Sequence, residues 1–405
     1  MATITGTSTF IVGPKVPIRF KIDWLAFTLP TSVDFKDKEK FFLLKKLGYE
    51  LSDFEEVGGK NFFNSGYSLA GGYVKLYYND PSKPVQKGSS NYHDYIFTGV
   101  GCSDLHQKIN GDWIRLFKYL KDFGVSFRRI DIALDDMSYP PRISFGYIER
   151  KLARGEFRSS KRKYNVIQDK RTSGKPVGKS VYFGSRGGSG GGGSFGHTVL
   201  RIYQKALQLI YSKKQESSLP PEVLLQSTLP NFDGVYSWVR WEIEFTKAKA
   251  IAMIDLILEK SKSSENPIAE SYYSVLRDTV DFLIPTKNKK GQIYKNKFKW
   301  RSSPKYLDFL NKARSAKLAN PDKLYNLETV LDWIKYSVTP TLQLCNEIVS
   351  DKLGISFYDI LKEFEMENRL EYSKKQQRLL LESRFMDEDV LKLYLNHFLD
   401  SKGVE

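Results

Sequence analysis

Between Val16 and Leu29 apolar and polar residues alternate, with Ile18, Phe20, Ile22, Trp24 and Ala26 on one side and Arg19, Lys21, Asp23 and Leu25 on the other, which is the two-residue period of a strand. From Lys36 to Leu47 the spacing turns helical, carried by Phe41, Leu44 and Leu47, and it stops at Gly48, a residue suited to a helix C-terminus. Strands are expected over Gly72 to Tyr78 and Tyr92 to Val100, followed by one helix from Ser103 to Phe123 with Ile109, Trp113, Phe117 and Leu120 along a face. A strand from Val125 to Asp135 and a helix from Ser144 to Arg154 come next. After a basic, turn-rich stretch, strands are expected over Lys179 to Ser185, Thr198 to Lys205 and Tyr236 to Thr246. Beyond Lys247 the pattern is helical, with Ala248 to Lys260, Ile268 to Leu283, Lys305 to Ala316, Leu327 to Tyr336 and Asp387 to Leu399 as the expected helices. The fold class is therefore α+β. Residues 1–250 form an α+β domain expected to hold the chemistry, and residues 251–405 a helical region for DNA binding or dimerisation.

Composition narrows the partner. The chain has 405 residues, 63 Lys and Arg against 47 Asp and Glu, a formal charge of +16, and 24 Tyr, 26 Phe and 6 Trp. A basic, aromatic-rich chain suits a polyanion that also offers flat bases for stacking, namely nucleic acid. Solubility is the competing explanation for the charge. Cys102 and Cys345 are far apart, and His93, His106, His197 and His397 lack metal-ligand spacing, which argues against a disulfide scaffold or a zinc finger. Met1 to Arg19 has no charged start followed by a long apolar run, and no window approaches the roughly 18 apolar residues of a membrane span, so a cytoplasmic protein with no membrane partner is expected. The glycines and serines of Gly187–Ser194 are those of a flexible linker or a natural hairpin loop; the run lacks the GK[ST] ending of a phosphate-cradling loop.

Three predicted strands carry candidate chemistry. In Arg128-Arg129-Ile130-Asp131-Ile132-Ala133-Leu134-Asp135-Asp136, strand periodicity puts Asp131 and Asp135 on one face, where two carboxylates suit Mg²⁺ or Mn²⁺ or simply end the strand as turn formers. Arg240, Glu242 and Glu244 share a face opposite Trp241, Ile243 and Phe245, as the acids of a site or of a solvated edge. Arg201, Tyr203 and Lys205 share a third. A phenol between two cations is expected to lose its proton more readily, as a nucleophile must, although most strand tyrosines only pack. If the strands are neighbours, the acids hold a divalent ion, Tyr203 attacks phosphorus, and Arg201, Lys205, Arg186 or Arg240 balance the phosphoryl charge.

These segments resemble the replication initiation factor family, which includes rolling-circle plasmid and phage initiators and relaxases of integrative conjugative elements. The likeness lies in Ile22-Asp23-Trp24-Leu25-Ala26-Phe27, in Arg129 through Asp136, in Tyr182-Phe183-Gly184-Ser185-Arg186, in Arg201-Ile202-Tyr203-Gln204-Lys205, in Arg240 through Glu244, and in Trp333 with Val338-Thr339-Pro340-Thr341-Leu342. It implies an antiparallel sheet of ferredoxin-like, Rep-type character with packed helices. It also implies a metal-dependent, strand-specific DNA endonuclease and strand transferase, often dimeric, that passes its product to a helicase. By position, Tyr203 is the nucleophile, with Arg201 and Lys205 beside it, and Asp131, Asp135, Glu242 and Glu244 as metal or acid–base residues. The glycine run before Arg201 is longer than the family pattern, and the paired histidines of HUH nucleases are absent.

Two basic segments are candidate DNA contacts. Lys161, Arg162 and Lys163 lie in the turn-rich stretch, and Lys287 to Arg301 interleaves Tyr294, Phe298 and Trp300 with Lys297, Lys299 and other cations. The resulting expectation is a rolling-circle initiator that nicks an origin, single-stranded or in a hairpin, through a phosphotyrosine. A conjugative relaxase with the same chemistry and a non-catalytic DNA-binding regulator are the alternatives.

Overall fold

The computed structural model describes residues 10–11, 18–30, 41–60, 62–69, 71–84, 92–170, 172, 176–184, 197–211, 237–314, 316, 318, 330–331 and 334–367. Arg186, Gly187–Ser194, Trp333 and the helix expected over Asp387 to Leu399 lie outside them.

In chain order the strands are β1 (Phe10–Ile11), β2 (Ile18–Pro30), β3 (Phe54–Gly58), β4 (Ser65–Leu69), β5 (Val74–Tyr78), β6 (Tyr92–Phe97), β7 (Ser126–Asp136), β8 (Phe157–Ser159), β9 (Tyr164–Lys170), β10 (Pro176–Phe183), β11 (Thr198–Gln204), β12 (Val239–Thr246), β13 (Val280–Ile284) and β14 (Arg301–Ser302). The helices are α1 (Phe42–Lys46), α2 (Gly99–Lys108), α3 (Trp113–Asp122), α4 (Phe145–Ala153), α5 (Lys205–Tyr211), α6 (Ala248–Lys260), α7 (Pro267–Thr279), α8 (Pro304–Phe309), α9 (Thr339–Leu353) and α10 (Phe357–Glu367). Eleven strands make one antiparallel sheet in the order β3-β4-β5-β6-β2-β7-β12-β11-β10-β9, with β1 on β2, while β14-β13-β8 form a small second sheet.

The sheet divides its two faces as the alternation dictates. Ile130, Ile132 and Leu134 of β7, Trp241, Ile243 and Phe245 of β12, and Leu200 and Ile202 of β11 are fully buried in one core with Ile254 and Ile257 of α6 and Tyr272 of α7. Tyr272 donates its hydroxyl hydrogen to the Trp241 carbonyl at 2.6 Å, and Phe20 meets Tyr272 and Tyr273 edge-on at 5.5 and 5.2 Å. Edge-on packing sets the positive rim of one ring against the negative face of another. The opposite face of the same strands is left to polar side chains.

Several expected elements differ. In β2 the pairing slips between Ile22 and Trp24, so Leu25, Phe27 and Leu29 continue the buried row of Ile18, Phe20 and Ile22, and Trp24 turns to the polar face. A bulge sets two residues against one and reverses the alternation beyond it. The single helix expected over Ser103 to Phe123 is two: α2 and α3 are parted at Asn110 and Gly111, which take positive φ of 51° and 78°, and Asp112 caps α3 by accepting from the Arg115 amide. The helix expected through Leu283 ends at Thr279, and Val280–Ile284 becomes β13, an apolar run whose partners β8 and β14 decide its state. The turn-rich stretch after Arg154 contains β8, β9 and the start of β10.

The chain divides into two compact units, Met1–Pro321 and Asp322–Glu405. The division expected at residue 250 falls inside α6, whose Ala250, Met253, Ile254 and Ile257 are buried in the core beside β7 and β12. In the second unit α9 ends at Gly354, where φ of 68° favours glycine, and the Asn346 carboxamide oxygen accepts from the Phe357 amide at the start of α10.

Candidate active site

Register alone assembles the polar face. Across β11, β12, β7 and β2, Tyr203 stands opposite Arg240, Asp135 and Arg19; Arg201 opposite Glu242, Ala133 and Lys21; and Val199 opposite Glu244, Asp131 and Trp24. Because side chains alternate, these rows project to one side. The three strands singled out by their charge pattern are thus consecutive neighbours.

Tyr203 is 8% exposed and lies on the polar side of the sheet, outside the hydrophobic core. Its hydroxyl donates to Glu242 Oε2 at 2.9 Å. Arg201 donates to the other oxygen of Glu242, and its guanidinium lies 5.7 Å from the centre of the Tyr203 ring. One carboxylate therefore receives both the phenol and the cation.

The neighbouring acids are held in the same manner. Arg129 forks onto Asp131 through Nε at 2.8 Å and Nη2 at 2.6 Å, reaches Glu244 Oε2 at 2.9 Å, and stacks 4.5 Å above the Trp24 ring. His197 Nε2 lies 2.9 Å from Glu244 Oε1, with its Nδ1 at 3.1 Å from Thr246 Oγ1. Arg240 forks onto Asp135 at 2.6 and 2.8 Å and donates to Asp23 at 3.0 Å; Lys21 contacts the same Asp23 at 3.0 Å. Bidentate guanidinium–carboxylate pairing of this kind fixes direction as well as charge.

Burial sets the protonation. It raises the Tyr203 phenol well above its usual value, and Glu242 and Asp23 add to this against the opposing pull of Arg240 and Arg201. The flanking cations do not produce the lowered phenol expected from their proximity in sequence; desolvation outweighs them. Burial likewise pushes Asp131 up to about 7, against Arg129 and with the help of Glu242 and Glu244. Burial would raise Asp23 too, but Arg240, Lys21 and Lys205 hold its carboxyl well below the ordinary range.

The expected ligands Asp131, Asp135, Glu242 and Glu244 supply hard oxygens of the type Mg²⁺ and Mn²⁺ prefer. Their arrangement does not fit one ion. Asp135 is committed to Arg240, Asp131 and Glu244 to Arg129, and Glu242 to Arg201 and Tyr203. Among the described residues no three of His, Cys, Asp or Glu form a group able to hold a metal.

Other expected residues sort by exposure. Arg240, expected on DNA, is buried in its acid pairs. Lys205 opens α5 and donates to Gln208 at 3.0 Å, its charge reaching Asp23. Asp136, not Asp135, shapes the turn after β7, accepting from the amides of Ser138 and Arg142. Arg162 and Lys163 are exposed; Lys161 is half-buried, with its pKa lowered by burial. Lys297 and Lys299 are exposed, whereas Trp300 is half-buried and donates its indole N–H to the Tyr294 carbonyl at 2.6 Å. The site also contains Asp23, Arg129 and His197, which the charge pattern does not single out. For Asp23 the signal in the sequence is its place in the family-like stretch Ile22-Asp23-Trp24-Leu25-Ala26-Phe27.

The family model described as replication initiation factor matches residues 125–364, more than half of the chain and inclusive of β7, β11 and β12. Among solved structures, the rolling circle replication initiator protein from Geobacillus stearothermophilus is similar in fold, with a TM-score of 0.53 and 22% identity over 75% of this chain and 100% of that one. No curated protein matches. No described helix is long and apolar enough to cross a membrane.

Proposed function

Because the chain belongs to the replication initiation factor family, we propose that it starts rolling-circle replication by cutting one DNA strand at an origin with Tyr203 and later rejoining it. The observation that carries the reading is the Tyr203 hydroxyl, on the polar face of the sheet, donating to Glu242 at 2.9 Å. A buried phenol with a raised pKa is a poor nucleophile until a base removes its proton, and a carboxylate within hydrogen-bond reach is that base.

In the cutting step Glu242 takes the phenolic proton as Tyr203 Oη bonds to phosphorus. The bond from phosphorus to the 3′ oxygen breaks, leaving a 5′-phosphotyrosine and a 3′ hydroxyl. The departing 3′ oxygen takes its proton from solvent, because Asp131 stands two rows along the sheet from Tyr203 and is forked by Arg129. Arg201 and Lys205 offset the phosphoryl charge. The ester energy stays in the phosphotyrosine, so attack by a 3′ hydroxyl reseals the strand without ATP. The likeness in fold to the Geobacillus initiator supports the rolling-circle assignment.

The test is nicking of a supercoiled plasmid carrying the chain's own origin, run with Mg²⁺, with Mn²⁺ and with chelator to read metal dependence. Tyr203→Phe is expected to give no nicked circle while still binding the plasmid. Nicking with covalent attachment by that variant would remove Tyr203 from the role.

A further inference from the structure

The segment between β13 and β14 is not part of the Tyr203 face, yet its backbone is cross-braced. From Lys287 to Arg301 it carries Lys287, Lys289, Lys290, Lys295, Lys297, Lys299 and Arg301 and no acid. Lys287 bridges to Ile293, Tyr294 N–H donates to the Thr286 carbonyl at 3.0 Å, Arg301 N–H to Thr286 Oγ1 at 2.9 Å, and the Trp300 indole to Tyr294 at 2.6 Å. Just before β14, Lys297–Lys299 form one turn of 3₁₀ helix, capped by Asn296, which accepts from the Phe298 amide at 2.9 Å.

That turn points one ring outward. Phe298 is 80% exposed, the most exposed large hydrophobic residue described, and among the described residues no aromatic pair engages its ring. The neighbouring rings are used differently: Trp300 clamps the loop, and Tyr294 lies 5.0 Å beneath Lys299. An apolar ring held in water on a braced turn, between two lysines, loses free energy in the isolated chain and regains it against a flat apolar partner that is also an anion.

We infer that Phe298 is a stacking wedge for unpaired DNA: its ring lies against an exposed base while Lys297, Lys299 and Arg301 hold the flanking phosphates. The wedge is tied to the catalytic sheet. Lys297 Nζ stands 5.9 Å from the Phe157 ring, Phe157 packs edge-on against Phe183 at 6.0 Å, and Phe183 belongs to β10, the direct neighbour of the Tyr203 strand. The inference takes its partner from the proposed DNA function but is independent of which residue is the nucleophile.

The test compares the full-length chain with Phe298→Ala and Phe298→Trp, measuring fluorescence anisotropy on labelled oligo(dT) and on a duplex of equal length. Losing one base stack is expected to weaken oligo(dT) binding by Phe298→Ala about 5- to 100-fold. Phe298→Trp restores it, and duplex binding by both variants stays within about twofold of the parent, since phosphate contacts carry it. Unchanged oligo(dT) binding by Phe298→Ala, or an equal loss on duplex and single strand, would overturn the wedge. Tyr203→Phe measured alongside keeps its oligo(dT) affinity, so absence of cleavage and absence of stacking are read separately. A melting temperature unchanged by Phe298→Ala excludes unfolding as the cause, as 80% exposure requires.

Discussion

Around Tyr203 three arginines end on carboxylates: Arg129 on Asp131 and Glu244, Arg201 on Glu242, Arg240 on Asp135 and Asp23. From Lys287 to Arg301 seven cations stand in fifteen residues, and none is joined to an acid in an ion pair among the described residues. The two regions use the same residue types for different ends. Charges matched on rigid strands fix direction and protonation at chosen atoms, whereas unmatched charges on a loop remain available to phosphate. The contrast explains why net charge alone locates DNA binding poorly: Arg240 is cationic and buried, Lys299 cationic and exposed.

The largest effect should come from breaking the matched side at its base. Glu242→Gln keeps an oxygen for the Tyr203 hydroxyl but takes up no proton at neutral pH, and strand cleavage is expected to slow by about 10² to 10⁴, the range of general-base catalysis. Single-turnover cleavage of an origin oligonucleotide measures it, and a change below threefold would remove Glu242 from the role.

Arg240→Ala tests whether the matched pairs also hold the sheet together. Asp135 and Asp23 would each lose a buried partner, and removal of one member of a buried pair costs about 3–5 kcal/mol. Denaturant melting should show that loss, and a variant as stable as the parent would mean that the carboxylates find other partners.

Asp131→Asn has a smaller, pH-dependent effect. The folded carboxyl titrates at about 7, above its ordinary value of 3.8, so its contribution to stability is fully present below about 3.8 and is lost as pH rises through about 7. Melting across that interval should therefore show the parent losing stability relative to the variant. Parallel pH curves would contradict the raised titration. The smallest effect belongs to the unmatched side. Lys297→Ala with Lys299→Ala is expected to reduce the slope of log affinity against log salt by about 1 to 2, with nicking at saturating protein unchanged.

Much of this arrangement is legible before the fold. Alternation places Tyr203, Glu242 and Asp131 on polar faces and Ile202, Trp241 and Ile132 in the core, because a sheet buried on one side imposes that pattern. The β2 bulge is not legible, since Trp24 and Leu25 are both apolar and a change of phase between them leaves the composition unaltered. Gly111 does sit inside the expected helix as a visible warning of the break there. The protonation of Tyr203 departs from the expectation for a physical reason: flanking cations can be read along a strand, but the depth of burial that outweighs them depends on what covers the strand. Arg129 is visible only as part of a motif, because the fork that joins two acids exists only once β7 and β12 are paired.

The central claim concerns one oxygen atom. Cleavage of an origin oligonucleotide, proteolysis and mass spectrometry of the peptide that retains a nucleotide test it directly. The account predicts a phosphodiester adduct on the peptide containing Tyr203, at the Tyr203 hydroxyl. An adduct on any other residue, or cleavage that leaves free 5′ phosphate with no adduct, would contradict it.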